Sequence, residues 1–124
     1  MTDALLTGHP IVDAEHERLR LLLNELLNFR DTGDDKRCAE KIIEITKAVV
    51  SHFESEEAIM EELGYLNLVR HKEEHRTTVI KYDALIEDSK RAGYGNNFAN
   101  ELTAILVSDM IRADMDFKMY LQDE

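Results

Sequence analysis

The sequence is poor in residues that form cross-links or interrupt helices. It contains no tryptophan, one cysteine and one proline among 124 residues. With Cys38 alone, no disulfide can form within the chain, and a reducing compartment is compatible with this. The first eight residues have no basic region and no long apolar run, so we expect no signal peptide. No segment approaches the roughly 20 apolar residues that a membrane-spanning helix needs.

Basic residues are scarce relative to acidic ones. Fifteen lysines and arginines face 26 aspartates and glutamates, which gives a net charge of −11 with the histidines neutral. Such a surface repels the phosphates of nucleic acid and of anionic lipids, so we expect neither nucleic acid nor a membrane as a partner. Together with the expected lack of a signal peptide, this predicts a cytoplasmic protein.

Glycine is also rare, and its positions divide the chain into four long segments. Four of the five glycines lie at positions 33, 64, 93 and 95, where they end helices and permit turns. No strand-like alternation occurs between them. The apolar spacing predicts four helices. Their approximate ranges are 13–29, 36–63, 68–86 and 98–121.

The predicted helices have apolar faces and short connections. Asp13 is the expected N-cap of the first helix, and Leu63 is expected to face inward at the end of the second. Short connections favour antiparallel neighbours. We therefore expect a single all-α domain over residues 1–124, folded as an antiparallel up-down-up-down four-helix bundle.

Five polar residues lie on these apolar faces. His52 and Glu56 are four residues apart, as are His71 and His75, and each such pair lies on one side of a helix. His16 lies on the apolar face of the first helix. In an antiparallel bundle it would lie at the same depth as the other two pairs. Any one of them is more often a hydrogen-bonded core residue. Five coincident placements on three helices predict a transition-metal site, because imidazole and carboxylate are its usual ligands.

Five segments of the chain resemble the hemerythrin family, specifically its single-domain bacterial type. The matching segments are residues 11–16 (IVDAEH), 51–57 (SHFESEE), 64–65 (GY), 71–75 (HKEEH) and 114–121 (DMDFKMYL). The family consists of oxygen-binding helical bundles that hold two iron ions bridged by an oxo or hydroxo group. The resemblance therefore implies a di-iron site with dioxygen or another small diatomic molecule as the ligand.

The resemblance also implies a role for each residue. Carried over position by position, it assigns His16 and His52 to one iron and His71 and His75 to the other. Glu56 would bridge the two ions from one side.

Carboxylates close to the site are candidates for orienting these ligands. Metal-bound histidines normally donate their second ring N–H to a carboxylate or a carbonyl. The candidates in the sequence are Asp13, Glu57 and Glu74.

The fourth predicted helix departs from the family pattern. The family has a histidine ligand five residues before its second bridging carboxylate, and these positions are here Asp109 and Asp114. Five residues span about 140° of an ideal helix, so we predict a π-bulge between the two, with Asp116 as the alternative bridge. Asp109 either coordinates the second iron or leaves a position open there. The tryptophans usual in the family are also absent.

The extra carboxylate bears on function. Four neutral imidazoles with Glu56, Asp109 and Asp114 carry a charge of −3, and a histidine at position 109 would make it −2. More negative charge favours the ferric state. We expect binding of dioxygen, or of a related molecule such as nitric oxide, with fast autoxidation. The alternatives are a di-iron oxidase or peroxidase-like enzyme and a helical interaction module with a degenerate site. The same ligands also suit manganese or zinc.

Overall fold

Four α-helices make up the fold. The computed structural model describes the backbone of residues 9–29, 35–92 and 97–122, without the side chains of residues 35, 91–92, 110–116, 120 and 122. The helices are α1 (Pro10–Phe29), α2 (Asp35–Glu62), α3 (Leu68–Ala92) and α4 (Phe98–Gln122). No β-strand occurs in the described ranges, so the all-α prediction is confirmed. The turns predicted around Gly33 and around Gly93 and Gly95 lie outside the described residues.

The helices pack in a ring. Contacts join α1 to α2, α2 to α3, α3 to α4 and α4 back to α1. Side-chain pairs show that successive helices are antiparallel: Lys41 near the start of α2 binds Glu25 near the end of α1. Across the next pair, the hydroxyls of Thr46 and Tyr82 lie 2.6 Å apart. The fold is the predicted four-helix bundle.

The first helix begins three residues earlier than the sequence predicted. The N–H of Asp13 donates to the carbonyl of His9 at 2.9 Å, so Asp13 lies inside the first turn and is not the N-cap. Pro10 occupies the first helical position, where its missing N–H is not needed and its fixed φ suits the helix. The predicted start was wrong because proline at the first helical position is itself a start signal, three residues before Asp13.

The end of α2 is a Schellman turn. Gly64 adopts a φ of 71°, the N–H of Tyr65 donates to the carbonyl of Met60, and that of Gly64 donates to Glu61. Tyr65 and Met60 also pack together in one apolar cluster, as this motif favours. Leu63 lies beyond the last helical residue and is 39% exposed, so the prediction that it faces inward is wrong.

The fourth helix is regular. It is α-helical over its whole length, so the π-bulge predicted between Asp109 and Asp114 is wrong. The backbone keeps its i to i−4 hydrogen bonds without the inserted residue that a π-bulge requires. The side chains of Asp114 and Asp116 lie outside the described residues, and the choice between them as a bridge stays a prediction.

Two apolar clusters fill the bundle. The smaller one contains Val12, Met60, Tyr65 and Phe117 at the end where α2 turns into α3. The larger one extends towards the other end, and its buried members include Leu19, Leu23, Leu26, Ile45, Val49, Phe53 and Leu102. Between the clusters lies a layer of buried polar side chains. Among the described residues, no helix is long and apolar enough to cross a membrane.

Candidate metal centre

The polar layer contains all five histidine and glutamate residues that the sequence placed on apolar faces. His16 comes from α1, His52 and Glu56 from α2, and His71 and His75 from α3. Their exposed fractions are 0% to 3%. They form two groups that could each hold a metal ion: His16, His52 and Glu56, and Glu56, His71 and His75. The structure therefore brings together these five predicted residues.

Glu56 is the shared member of both groups. Its Oε1 lies 2.5 Å from Nε2 of His71 and 3.0 Å from Nε2 of His75. Its Oε2 lies 3.2 Å from Nε2 of His52 and 3.8 Å from Nε2 of His16. Each carboxylate oxygen thus faces one pair of histidines, which is the arrangement of a carboxylate that bridges two metal ions.

The donor atoms fit metal ions better than they fit one another. Oε2 of Glu56 is fully buried and has no hydrogen-bond partner of acceptable geometry. Nε2 of His16 and Nε2 of His52 lie 3.1 Å apart, and a proton shared between these two nitrogens is not available to Oε2. A cation between these nitrogens and Oε2 would satisfy all three atoms, and imidazole with carboxylate is the donor set of a transition metal.

Two further carboxylates fix the orientation of the histidine rings. Oε1 of Glu15 lies 3.0 Å from Nδ1 of His52, and Oε2 of Glu57 lies 2.8 Å from Nδ1 of His75. If each Nδ1–H donates outward, the Nε2 lone pairs of both rings point inward, as metal coordination requires. The predicted position of Glu57 beside a site histidine is confirmed. Glu74 instead forms an ion pair with Arg70, at 3.3 Å.

The site strongly favours negative charge on Glu56 and positive charge around it. Burial alone would raise the pKa of Glu56, but its contacts with the four surrounding histidines hold it well below its usual value. Burial would likewise lower the pKa of His52, yet the hydrogen bond to Glu15 and the nearby Glu56 carboxylate raise it to about 9. A metal ion must displace such protons, so metal binding here should strengthen as the pH rises.

Aromatic rings pack around two of the site histidines. The ring of Phe53 is stacked on that of His75, with centroids 3.9 Å apart and planes 8° apart. The ring of Tyr65 meets the rings of His71 and Phe117 edge-on, with centroids 6.5 Å and 5.3 Å apart, respectively. These rings limit the rotation of the two α3 imidazoles and exclude water from that side of the site.

Asp109 lies next to the two groups but belongs to neither. It is 4% exposed, and its Oδ1 accepts a hydrogen bond from the Thr78 hydroxyl at 2.8 Å. Burial raises the pKa of Asp109, while the charge of His75 and the bond from Thr78 act against that rise. Coordination of metal by Asp109 or by Asp114 stays a prediction.

The sequence did not lead us to three residues that contact the site, namely Glu15, Phe53 and Thr78. Glu15 and Thr78 carry no strong signal, because either would be an ordinary polar residue on a helix. Phe53 could have been found, since it lies four residues after the buried Val49.

Comparison with known families gives a match over most of the chain. The family model described as "Hemerythrin HHE cation binding domain" matches residues 7–116. That range contains all the residues of the two groups, as well as Asp109 and Asp114.

Curated relatives from several bacteria carry the name bacteriohemerythrin. Those of Pseudomonas aeruginosa (strain UCBPP-PA14) and Stenotrophomonas maltophilia (strain R551-3) are each 30% identical over 104 residues, which cover 84% of this chain and 66% of the relative. That of Methylococcus capsulatus (strain Bath) is 32% identical over 69 residues, 56% of this chain and 53% of the relative. The chain thus spans just under two thirds of the length of the first of these relatives. No solved structure matches it significantly.

Proposed function

The chain belongs to the hemerythrin family, and on this premise we propose that it holds two iron ions and binds dioxygen or a related diatomic molecule such as nitric oxide. The fold and the five buried ligands suit such a centre. The two ions, when bound, supply a redox-active centre at which a small ligand can be held or reduced.

The observation that carries the proposal is the position of Glu56. Its two oxygens each face a different pair of histidine Nε2 atoms, at 2.5 to 3.8 Å. A site for a single ion would need only one of these pairs. In our proposal, His16 and His52 hold one ion, His71 and His75 hold the other, and Glu56 bridges them.

A second bridge completes the proposal. The resemblance to the family assigns this role to Asp114, with an oxo or hydroxo group as the third bridge. Asp114 lies on α4, the helix that packs against both α1 and α3. On a regular helix its position lies about 140° from that of Asp109, whereas that of Asp116 lies about 20° from it. Without a π-bulge the geometry of α4 therefore favours Asp116, and we keep Asp116 as the alternative second bridge.

Burial of the site restricts what can reach it. The five ligands are at most 3% exposed, and apolar clusters lie on both sides of their layer. A large substrate cannot enter such a layer without opening the bundle, whereas a diatomic gas is small and uncharged. The surroundings therefore favour a gas as the exogenous ligand.

Asp109 adds negative charge beside the centre. It lies near enough to His71 and His75 for their charges to influence its own pKa. A carboxylate here stabilises the ferric state relative to the ferrous state, because it offsets the higher positive charge. We propose that the reduced protein consequently oxidises quickly in air. The same feature favours an oxidase or peroxidase-like enzyme as the second candidate function.

Variants of the separate halves test the two-ion proposal. We expect His16→Ala and His71→Ala each to retain about one iron per chain, because each removes a ligand from only one half, and Glu56→Ala to lose most of both. His9→Ala is the matched control, since His9 is the one histidine outside both groups, and it should retain the iron of the unaltered protein. Equal iron content in all four variants would contradict the proposal.

Turnover separates the two candidate functions. Iron-loaded protein is mixed with hydrogen peroxide and an oxidisable dye, and product formation is followed over time. Sustained catalytic consumption of peroxide supports the enzyme. Stoichiometric oxidation of the iron without turnover supports the gas-binding protein.

A further inference from the structure

The Asp109 carboxylate is held by a residue of the neighbouring helix. The Thr78 hydroxyl lies 2.8 Å from Oδ1 of Asp109 and 3.0 Å from the carbonyl oxygen of Glu74 in its own helix. Thr78 is 5% exposed and Asp109 is 4% exposed. The hydroxyl has one proton for these two acceptors. The contact to Glu74 keeps the threonine side chain in one rotamer on α3, so the hydroxyl meets Asp109 in a defined place.

Thr78 lies on the same face of α3 as the two histidines of the site. It lies three residues after His75 and seven after His71, so all three share one face of the helix. Each of the three side chains is at most 5% exposed. Thr78 is therefore the next polar group on the metal-facing side of α3, at the point where α3 contacts α4.

The position of Asp109 relative to the ligands is the second observation. Its Oδ1 is hydrogen-bonded to Thr78, three residues after His75 on the same face of α3, yet its oxygens do not belong to the group that Glu56, His71 and His75 form. Within the described residues, that half of the site therefore offers two imidazoles and one carboxylate oxygen. Such a set of three donors leaves coordination positions for exogenous ligands.

We propose that Thr78 is a positioning residue that holds the Asp109 carboxylate away from the His71–His75 half and so keeps a coordination position there open to a small exogenous ligand. This inference rests on the proposed di-iron function, because it concerns one half of that site. It decides between the two roles that the sequence left open for Asp109, and it assigns a role to Thr78.

Loss of the hydroxyl should change the partner of Asp109. A buried carboxylate without a hydrogen-bond donor is costly and turns to the nearest cation. In Thr78→Val the side chain keeps its shape but offers no donor. Asp109 should then bind the metal at the His71–His75 half and compete with the exogenous ligand for the open position.

Azide titration of the iron-loaded ferric protein tests this, with absorbance as the readout and iron content measured in parallel. We expect Thr78→Val to weaken azide binding by about tenfold or more, equivalent to about 1.4 kcal/mol, at unchanged iron content. Thr78→Ser keeps the hydroxyl and should bind azide as the unaltered protein does. Thr78→Ala provides a second variant without a hydroxyl in case the valine prevents folding.

A double variant identifies Asp109 as the cause. In an Asp109→Asn background the amide cannot replace azide as an anionic ligand, so adding Thr78→Val should leave azide affinity unchanged. The inference is overturned if Thr78→Val and Thr78→Ala bind azide normally, or if the loss is as large in the Asn background. Absence of iron from the unaltered protein would instead contradict the proposed function, so the two failures are distinguishable.

Discussion

Glu15 and His52 form a hydrogen bond across the α1–α2 interface, with 3.0 Å between Oε1 and Nδ1. The side chain of Glu15 is 25% exposed while that of His52 is 2% exposed. The carboxylate thus reaches from the bundle surface to the back of the His52 ring. On the far side of that ring, Nε2 faces Glu56.

Removal of Glu15 should weaken metal binding. We expect Glu15→Ala to lower iron affinity by about 10- to 100-fold, because the His52 ring loses the acceptor that fixes its tautomer and orientation. Competition with an iron chelator measures the effect. Glu54→Ala, which changes an exposed glutamate of α2, the helix that carries His52, is the matched control and should retain iron normally. Equal retention in both variants would show that Glu15 has no such role.

Replacement of Asp109 should slow oxidation in air. We expect the reduced form of Asp109→His to decay several-fold more slowly than the unaltered protein, because a neutral imidazole replaces a carboxylate that favours the ferric state. The measurement is the rate of absorbance change after air is admitted to the dithionite-reduced, desalted protein. Decay of the histidine variant at the original rate or faster would refute the proposed effect of Asp109.

The turn between α2 and α3 should be sensitive to a backbone change alone. Gly64 has a φ of 71°, and a Cβ built there meets no atom within 4 Å. Gly64→Ala should therefore destabilise the protein by about 1–2 kcal/mol through left-handed backbone strain without a clash. Urea unfolding measures the difference. Gly64→Asn should lose less, since asparagine tolerates this conformation better; equal stability of all three proteins would contradict the assignment.

Tyr82 should make the fold sensitive to alkali. Burial raises the pKa of Tyr82 to about 12, although its hydrogen bond with Thr46 lowers it somewhat. The folded state holds the phenol proton more tightly than the unfolded chain, whose tyrosine has a pKa of about 10. The resulting stabilisation is complete below pH about 10 and is lost as the pH rises to about 12.

The Tyr82→Phe variant isolates this contribution. It lacks the phenol, so its free energy of unfolding should fall less steeply between pH 10 and 12, by at most about 2–3 kcal/mol. At neutral pH it should lose about 1 kcal/mol with the Thr46 hydrogen bond. Urea titrations at pH 9 and at pH 11.5 provide the comparison. Parallel pH profiles for the two proteins would show that Tyr82 titrates normally.

Helical periodicity was sufficient to predict the bundle and the five residues of its buried polar layer. The spacing of four between His52 and Glu56 and between His71 and His75 fixes which residues share a face, whatever the helix packs against. His16 was found for the same reason, since it continues the apolar face of α1. Which residues share a face depends on one helix alone, so the spacing in the sequence is enough to predict it.

Features that depend on two helices were not predictable in this way. Glu15 precedes His16 by one residue and so points about 100° away from it. Its contact with His52 follows from how α1 packs on α2. Thr78 meets Asp109 for a similar reason, at the interface of α3 and α4. The π-bulge prediction was wrong for a different reason. It rested on an assumed set of metal ligands and not on a signal in the local sequence.

The iron content of the protein tests the central claim most directly. Protein isolated under air is loaded with ferrous iron, freed of excess metal, and measured by elemental analysis together with its near-ultraviolet spectrum. The paired groups that share Glu56 predict two irons per chain and the absorption of a bridged ferric centre. A colourless protein with one metal ion per chain or fewer would contradict the account.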